Sequence, residues 1–398
     1  MGHIEIKDNV FWVGAVDWNI RDFHGYSTEK GTTYNAYLIK DEKVALFDTV
    51  KSDFKNDLLY EIRQLVDPEK IDYLIVNHVE MDHSGAFPEI IDLIKPEKIF
   101  CSRNGHRALV EHFHREDLPF EIVKTGDTLK LGKKTVTFIE TPMLHWPDSM
   151  FSYIGEDKLL ISSDAFGQHI ASTEKYADEV NDFEIKRDAQ KYFANILTVF
   201  SPHIQKLLAK VAELGIEIDM IAPDHGLIWR GEGVAKIIGL YDKWSRHQAG
   251  DKALVIYDSM WKSTEKMAKA IASELARGGF EVKMKNLKVN HRSDIMTDVL
   301  DARALILGSS TLNNNMLPKM ADFLTYFKGL RPKNKVVACF GSYGWSGEAV
   351  KHINEAIEGI KLPLAHPGLK VKNVPREEDF DACRQLARDV IAAAKELE

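Results

Sequence analysis

At 398 residues the chain exceeds one ordinary hydrophobic core, so two domains are expected. Its 44% hydrophobic and 28% charged residues are those of a soluble globular protein, and a net charge of −8 gives no reason to expect nucleic acid or anionic lipid as a partner. The scattered cysteines, Cys101, Cys339 and Cys383, exclude a disulfide framework and leave no rubredoxin-type or iron–sulfur module in this chain.

The opening Met1-Gly2-His3-Ile4-Glu5-Ile6-Lys7 lacks the basic segment and apolar core of a secretory signal, and Ile6 breaks the myristoylation pattern. No apolar run approaches bilayer-spanning length. The expected compartment is the cytoplasm, with no membrane association.

To about Trp229, short apolar strands alternate with turns and a few helices. The predicted strands are Phe11–Val13, Tyr37–Ile39, Val44–Phe47, Tyr73–Val76, Lys98–Phe100, Thr135–Glu140, Leu159–Ile161 and Met220–Ala222. Helices are predicted over Lys55–Leu65, Ala86–Ile94 and Ala189–Leu214, the last with a kink at Pro202, and Val234–Arg246 reads as a connecting helix.

From Lys252 the pattern becomes strict strand–helix alternation, the signature of a doubly wound parallel sheet. Its strands are predicted at Ala253–Tyr257, Glu281–Asn286, Ala304–Leu307, Val336–Phe340 and Leu369–Val374. Between the first two, Met267, Ile271 and Leu275 form a helical stripe over Thr264–Arg277, which Gly278-Gly279 stops. The expected domains are residues 1–249 and 250–398.

The densest chemistry lies in His78-Val79-Glu80-Met81-Asp82-His83, directly after the apolar run Tyr73–Val76. A buried strand that ends in so many ionisable groups is costly unless a cation compensates. His145, Asp164 and His225 likewise follow predicted strands, and in an α/β sheet such strand ends share one rim. A lone histidine after a strand is ordinarily a hydrogen-bonded or surface residue, and the chain has 15 of them; His112 and His114, which lack this context, are assigned to the surface. The convergence of four groups points to a metal centre. Trp146, Pro147 and Asp148 could shape the surroundings of His145, although packing alone could explain Trp146 and Pro147; His24 could approach the pocket, but an ordinary structural role is the stronger reading for it.

In the second half, Ser259-Met260-Trp261-Lys262-Ser263-Thr264 runs into a helix N-terminus, a ready anion site that is neither a dinucleotide fingerprint nor a Walker loop. Taken alone it could be a simple helix cap. Two further post-strand loops, Gly308–Asn314 and Gly341–Glu348, add small residues, polar donors and the aromatics Tyr343 and Trp345, suited to a flat heterocycle.

The order His-x-Glu-x-Asp-His, then His145, Asp164 and His225, resembles the metallo-β-lactamase fold with its paired-metal site. Hydrolases of that superfamily usually carry His at the second motif position. Glu80 instead resembles the flavodiiron proteins, also called A-type flavoproteins, and its hard oxygen donor suits iron. The resemblance implies an N-terminal αββα sandwich followed by a flavodoxin-like sheet. It assigns His78, Glu80 and His145 to one iron, Asp82, His83 and His225 to the other, and Asp164 to the bridge; His83 is not a ligand in every relative.

The likeness of the second half to flavodoxin implies FMN. Its phosphate would lie against Ser259, Met260, Trp261, Ser263 and Thr264, helped by Lys262. Ser310, Thr311, Leu312, Asn313 and Asn314 would flank one side of the ring, and Ser342, Tyr343, Gly344 and Trp345 the other. The implied activity is reduction of dioxygen to water, nitric oxide to nitrous oxide, or both. Electrons would come from a rubredoxin-like protein or a reduced deazaflavin coenzyme. A head-to-tail homodimer, or a dimer of dimers, would bring each flavin to its partner's irons. Two readings from other classes stand beside this one: a dinuclear zinc hydrolase with an accessory flavodoxin domain, and an electron carrier with a vestigial metal site.

Overall fold

Along Tyr73–Val76 the side chains of Leu74 and Val76 enter one core, while Ile75 enters another on the opposite side. This strand is therefore buried on both faces, and it lies inside the first of two packed sheets. The computed structural model describes residues 4–213 and 215–397, and the chain divides into two units.

The first unit comprises Met1–His24, Thr28–Phe193 and Phe200–Asp242. Among the described residues it carries a seven-stranded sheet running from Ile4–Lys7 to Phe120–Val123 and a six-stranded sheet running from Thr128–Lys130 to Trp229–Arg230. Phe47, Ile75 and Phe100 of the first sheet share a core with Phe138, Ile161 and Ala222 of the second, so the two pack face to face. The other side of the first sheet is covered by the helices Lys55–Arg63 and Phe87–Ile94 through Leu58, Ile62, Ile90 and Ile91.

This layering corrects the single-rim expectation. Tyr73–Val76 belongs to the seven-stranded sheet, whereas Thr135–Glu140, Leu159–Ile161 and Met220–Ala222 belong to the six-stranded one. The first two of these are both antiparallel to Met150–Ile154, and Leu159–Ile161 is parallel to Met220–Ala222. All three therefore end on the same side, and the candidate ligands come from two sheets.

The predicted helix Ala189–Leu214 is also corrected. An α-helix begins at Asp182, where the Asn181 side chain accepts from the backbone N–H of Phe183 and Glu184. It ends at Tyr192 and passes through a π turn, Phe193–Leu197, and a 3₁₀ turn, Thr198–Phe200, before a second α-helix, Ser201–Glu213. Leu214 lies outside the described residues. The break precedes Pro202, which sits in the first turn of the second helix, where a missing N–H costs nothing.

The second unit comprises Gly25–Ser27, Ala194–Val199 and Lys243–Glu398. Its strands Gly250–Asp258, Glu281–Asn286, Ala302–Ser309, Val336–Tyr343 and Leu369–Lys372 form a fully parallel sheet, in the spatial order second, first, third, fourth, fifth. Ser263–Arg277 and Glu377–Glu396 cover one face; Arg292–Asp301, Pro318–Leu330 and Ala349–Glu358 cover the other. The order reverses between the first and third strands, which opens a crevice at their C-terminal ends. The last strand stops at Lys372, short of the predicted Val374, because Asn373 turns out at a φ of 58°. No helix among the described residues is long and apolar enough to cross a membrane.

Candidate metal centre and cofactor cleft

His78 is positioned by the strand it follows. Asp48, at the end of the neighbouring strand, accepts from Asn77 N and Asn77 Nδ2, both at 2.7 Å, and from His78 N at 3.3 Å. The chain then coils into the single turn Met81–Ser84, with His83 N donating to Glu80 O at 2.9 Å. That turn carries Asp82 and His83 inward beside His78.

Asp164 lies between two groups. Its Oδ2 is 3.3 Å from His78 Nε2 and 2.9 Å from His145 Nε2. Its Oδ1 is 3.2 Å from His83 Nε2 and 3.5 Å from His225 Nε2. Glu80 joins the first group, with Oε2 3.1 Å from His145 Nε2 and 3.5 Å from His78 Nε2. Asp82 joins the second, with Oδ2 3.0 Å from His225 Nε2 and 3.3 Å from His83 Nε2. All seven residues named from the sequence thus converge.

The donor atoms fit a pair of cations. His78 Nε2, His83 Nε2, both Asp82 carboxylate oxygens and Asp164 Oδ1 are buried without a hydrogen-bond partner among the described residues. Each such orphan costs about 1–3 kcal/mol, and more where charged, so a cation is the natural compensation. Imidazole with carboxylate and no thiolate suits iron, manganese or zinc, and the carboxylate share weights the set towards the harder ions.

The electrostatics agree. Burial alone would lower the histidines, but the facing carboxylates outweigh it. Asp148 and Glu80 hold His78 well above the ordinary range, Asp82 and Asp164 hold His83 at about 10, and Asp164 and Glu80 hold His145 at about 9. Burial would raise Glu80 and Asp164, yet His145 and His83 respectively lead in holding them low.

Of the outer contacts anticipated around His145, Trp146 does stand edge-on to it, with ring centroids 6.2 Å apart, whereas Asp148 serves His78. The Asp148 carboxylate lies 2.9 Å from His78 Nδ1 and also accepts from Val79 N at 2.8 Å. Trp146 stands edge-on to His78, with ring centroids 5.3 Å apart. His225 Nδ1 meets Thr33 O at 2.7 Å, a partner the sequence did not suggest. His24 does approach: its Nε2 is 3.6 Å from Glu80 Oε1, although its side chain is 79% exposed. His112 and His114 are exposed, as expected.

In the second unit a cavity of about 480 Å³ opens at the crevice. It is lined by Met260, Trp261, Ser263, the loop from Ser310 to Asn314 and the loop from Ser342 to Ser346. Ser346, Asn373 and Val374 also line it and were missed; the last two belong to the loop that the sequence pattern read as strand. Two expected residues lie behind the lining. Ser259 is buried, its hydroxyl without a partner among the described residues. Thr264 is fully buried, and its Oγ1 lies 2.9 Å from Ser310 Oγ and 2.8 Å from Ser342 Oγ. Lys262 turns the chain at a φ of 68°, immediately before the helix. Trp261 and Trp345 are 90% and 86% exposed at the mouth, large apolar rings that a flat ligand or a partner surface would cover. The enclosed volume, hydroxyl floor and aromatic rim fit FMN.

Comparison with known proteins agrees with both halves. The family model described as ODP family beta lactamase matches residues 32–226, and the flavodoxin model matches residues 255–386. A nitric oxide reductase from Moorella thermoacetica is 48% identical over 392 residues, covering 98% of each chain. The solved structure of rubredoxin oxygen:oxidoreductase from Desulfovibrio gigas superposes with a TM-score of 0.97 at 45% identity, covering 99% of each chain. The flavodiiron protein from Giardia intestinalis gives 0.96 at 34% identity, covering 100% of this chain and 98% of that one. An N-terminal β-lactamase-like αββα sandwich followed by a flavodoxin-like sheet defines a two-module oxidoreductase. The chain belongs to the flavodiiron protein family. The names of these relatives are those of reductases and do not favour the zinc-hydrolase alternative.

Proposed function

We propose that the chain reduces dioxygen to water, nitric oxide to nitrous oxide, or both, with electrons that enter at FMN and are used at paired irons. The observation that carries this reading is Asp164, whose two oxygens face different histidine pairs across the centre of the site. His78, Glu80 and His145 would hold one iron, Asp82, His83 and His225 the other, with Asp164 between. When bound, the irons supply redox equivalents and open coordination positions for a gas, and the flavin stores two further electrons.

The chain's own residues prepare that chemistry. Asp148 accepts at His78 Nδ1 and Thr33 O at His225 Nδ1, so that each Nε2 would be the nitrogen presented to a bound metal. Phe23, whose ring lies 6.2 Å from that of His225, gives an apolar wall suited to a small uncharged molecule. Both reductions consume protons, and the exposed imidazole of His24, 3.6 Å from Glu80 Oε1, places a polar group between solvent and the site. In the cleft, Met260, Trp261 and Ser263 would meet the phosphate with Lys262, while Ser310–Asn314 and Ser342–Trp345 flank the ring; Thr264 and Ser259 act from beneath.

A rubredoxin-like donor is supported by the name of the Desulfovibrio gigas relative, with a reduced deazaflavin coenzyme as the other candidate. The exposed Trp261 and Trp345 support a head-to-tail homodimer, or a dimer of dimers, in which each flavin faces the partner's irons. The cytoplasm is the proposed compartment.

The test is anaerobic reduction followed by exposure to each gas, with iron and flavin measured on the same sample. Consumption of either gas, with paired iron and equimolar flavin, is expected. Zinc in place of iron, with esterase activity, would return the hydrolase reading. Reduced protein that consumes neither gas would return the electron-carrier reading.

A further inference from the structure

Two of the site's histidines have an evident partner behind the ring, a carboxylate for His78 and a backbone carbonyl for His225. His83 has neither. Its Nδ1 is buried without a hydrogen bond among the described residues. The group facing it is Asp224, whose Oδ2 lies 3.9 Å away.

Asp224 is itself anomalous. It is fully buried, and neither carboxylate oxygen has a hydrogen-bond partner among the described residues. Its backbone is fixed at both ends: the amide donates to Ser163 O at 2.8 Å, and the carbonyl accepts from Asn35 N at 2.7 Å. The nearby Asp48, also buried, is by contrast satisfied by Asn77 and His78. A buried carboxylate without donors is among the more expensive arrangements a fold can hold, and the neighbouring imidazole Nδ1 also lacks a partner.

We infer that Asp224 is the positioning residue of His83, accepting its Nδ1–H when Nε2 is drawn onto the second metal. A ring rotation of about 1 Å at Nδ1 closes the gap to ordinary hydrogen-bond length. The contact selects the tautomer whose Nε2 lone pair faces Asp82 and Asp164, and it opposes any swing of His83 away from the centre. The inference rests on the paired-metal reading above.

The experiment compares wild type, Asp224→Asn and Asp224→Leu, each titrated anaerobically with Fe(II) against a chromophoric chelator. Asparagine keeps an acceptor without the charge; leucine keeps neither. The expected result for Asp224→Leu is about 10–100-fold weaker binding of the second iron, with the first nearly unchanged. Asp224→Asn should lose less affinity, and its bound iron should show a higher reduction potential, since a negative charge has left the back of the imidazole. Should leucine prevent folding, that potential shift decides the matter. Equal affinities and potentials in wild type and Asp224→Asn would overturn the inference. So would equal weakening of both irons, or a loaded crystal structure in which an Asp224 oxygen is itself coordinated. Failure of the wild-type protein to bind iron would overturn the parent reading instead, so the two failures are distinguishable.

Discussion

The Asp148 carboxylate lies 2.9 Å from His78 Nδ1, although 70 residues separate the two in sequence. It also accepts from Val79 N, so one side chain orients both the imidazole and the backbone that carries Glu80. Replacing Asp148 with Ala should weaken iron binding by about 10–100-fold while leaving the flavin spectrum intact. An anaerobic iron titration checks this; unchanged affinity would remove Asp148 from the site.

Asp164→Ala should abolish gas reduction, because it removes the carboxylate that both histidine pairs face. The bound flavin should keep its spectrum. Oxygen and nitric oxide electrodes provide the measurement, and normal consumption of either gas would refute the bridging assignment.

Metal loading should expel protons. Facing carboxylates hold His83 at about 10 and His145 at about 9, so both are protonated at neutral pH before metal binds. A metal needs the neutral imidazole, so affinity should rise as pH increases from 6 towards 9. Calorimetry of Fe(II) binding in buffers of different ionisation enthalpy counts the protons. Binding without proton release, at constant affinity, would contradict these charge states.

Trp345→Ala should cost about fivefold in FMN affinity or shift the flavin potential, since an aromatic contact of this kind contributes on the order of 1 kcal/mol. Fluorescence titration of the flavin-free protein reads the first, and spectroelectrochemistry the second. No change in either would mean that the exposed ring serves a partner surface only.

Lys335 offers a pH test away from either cofactor. Its Nζ is buried and donates to Leu300 O at 3.1 Å, in the last turn of Arg292–Asp301, and burial pushes its ammonium from 10.5 down to about 7 despite the opposing pull of Asp301. Below about 7 the folded and unfolded chains both hold the proton, and the folded state bears the desolvation cost. Between 7 and 10.5 the unfolded chain binds more protons, so this residue's contribution to stability rises with pH. The slope approaches about 1.4 kcal/mol per pH unit. Urea midpoints for wild type and Lys335→Met should therefore diverge in favour of wild type between pH 6 and 9. A constant difference would refute the shift.

Much of the strand framework was legible in the sequence because its signal is local. Tyr73–Val76, Thr135–Glu140, Leu159–Ile161 and Met220–Ala222 are continuous apolar or alternating runs, and each leads within a few residues to an ionisable group that burial makes conspicuous. Asp182–Tyr192 was hidden because its early turns are charged and its start depends on one asparagine cap. The two sheets were implied by the resemblance alone; strand patterning could not say which strands each would take, since that depends on strand pairing between distant segments. Outer partners such as Thr33 O are beyond side-chain pattern altogether, being backbone atoms brought near by that pairing. Asn373 and Val374 were misread because a polar–apolar pair at a strand's end has the same alternation as the strand itself.

The hydroxyl of Thr264 touches those of Ser310 and Ser342, so three chain segments that diverge towards solvent are riveted at one buried point. The cleft is thus preformed rather than moulded by its occupant, and little loop ordering has to accompany cofactor uptake. Substitutions at the solvent edge can retune how the isoalloxazine is gripped without disturbing the seat below. Loss of the single methyl-bearing alcohol beneath would slacken all three walls together.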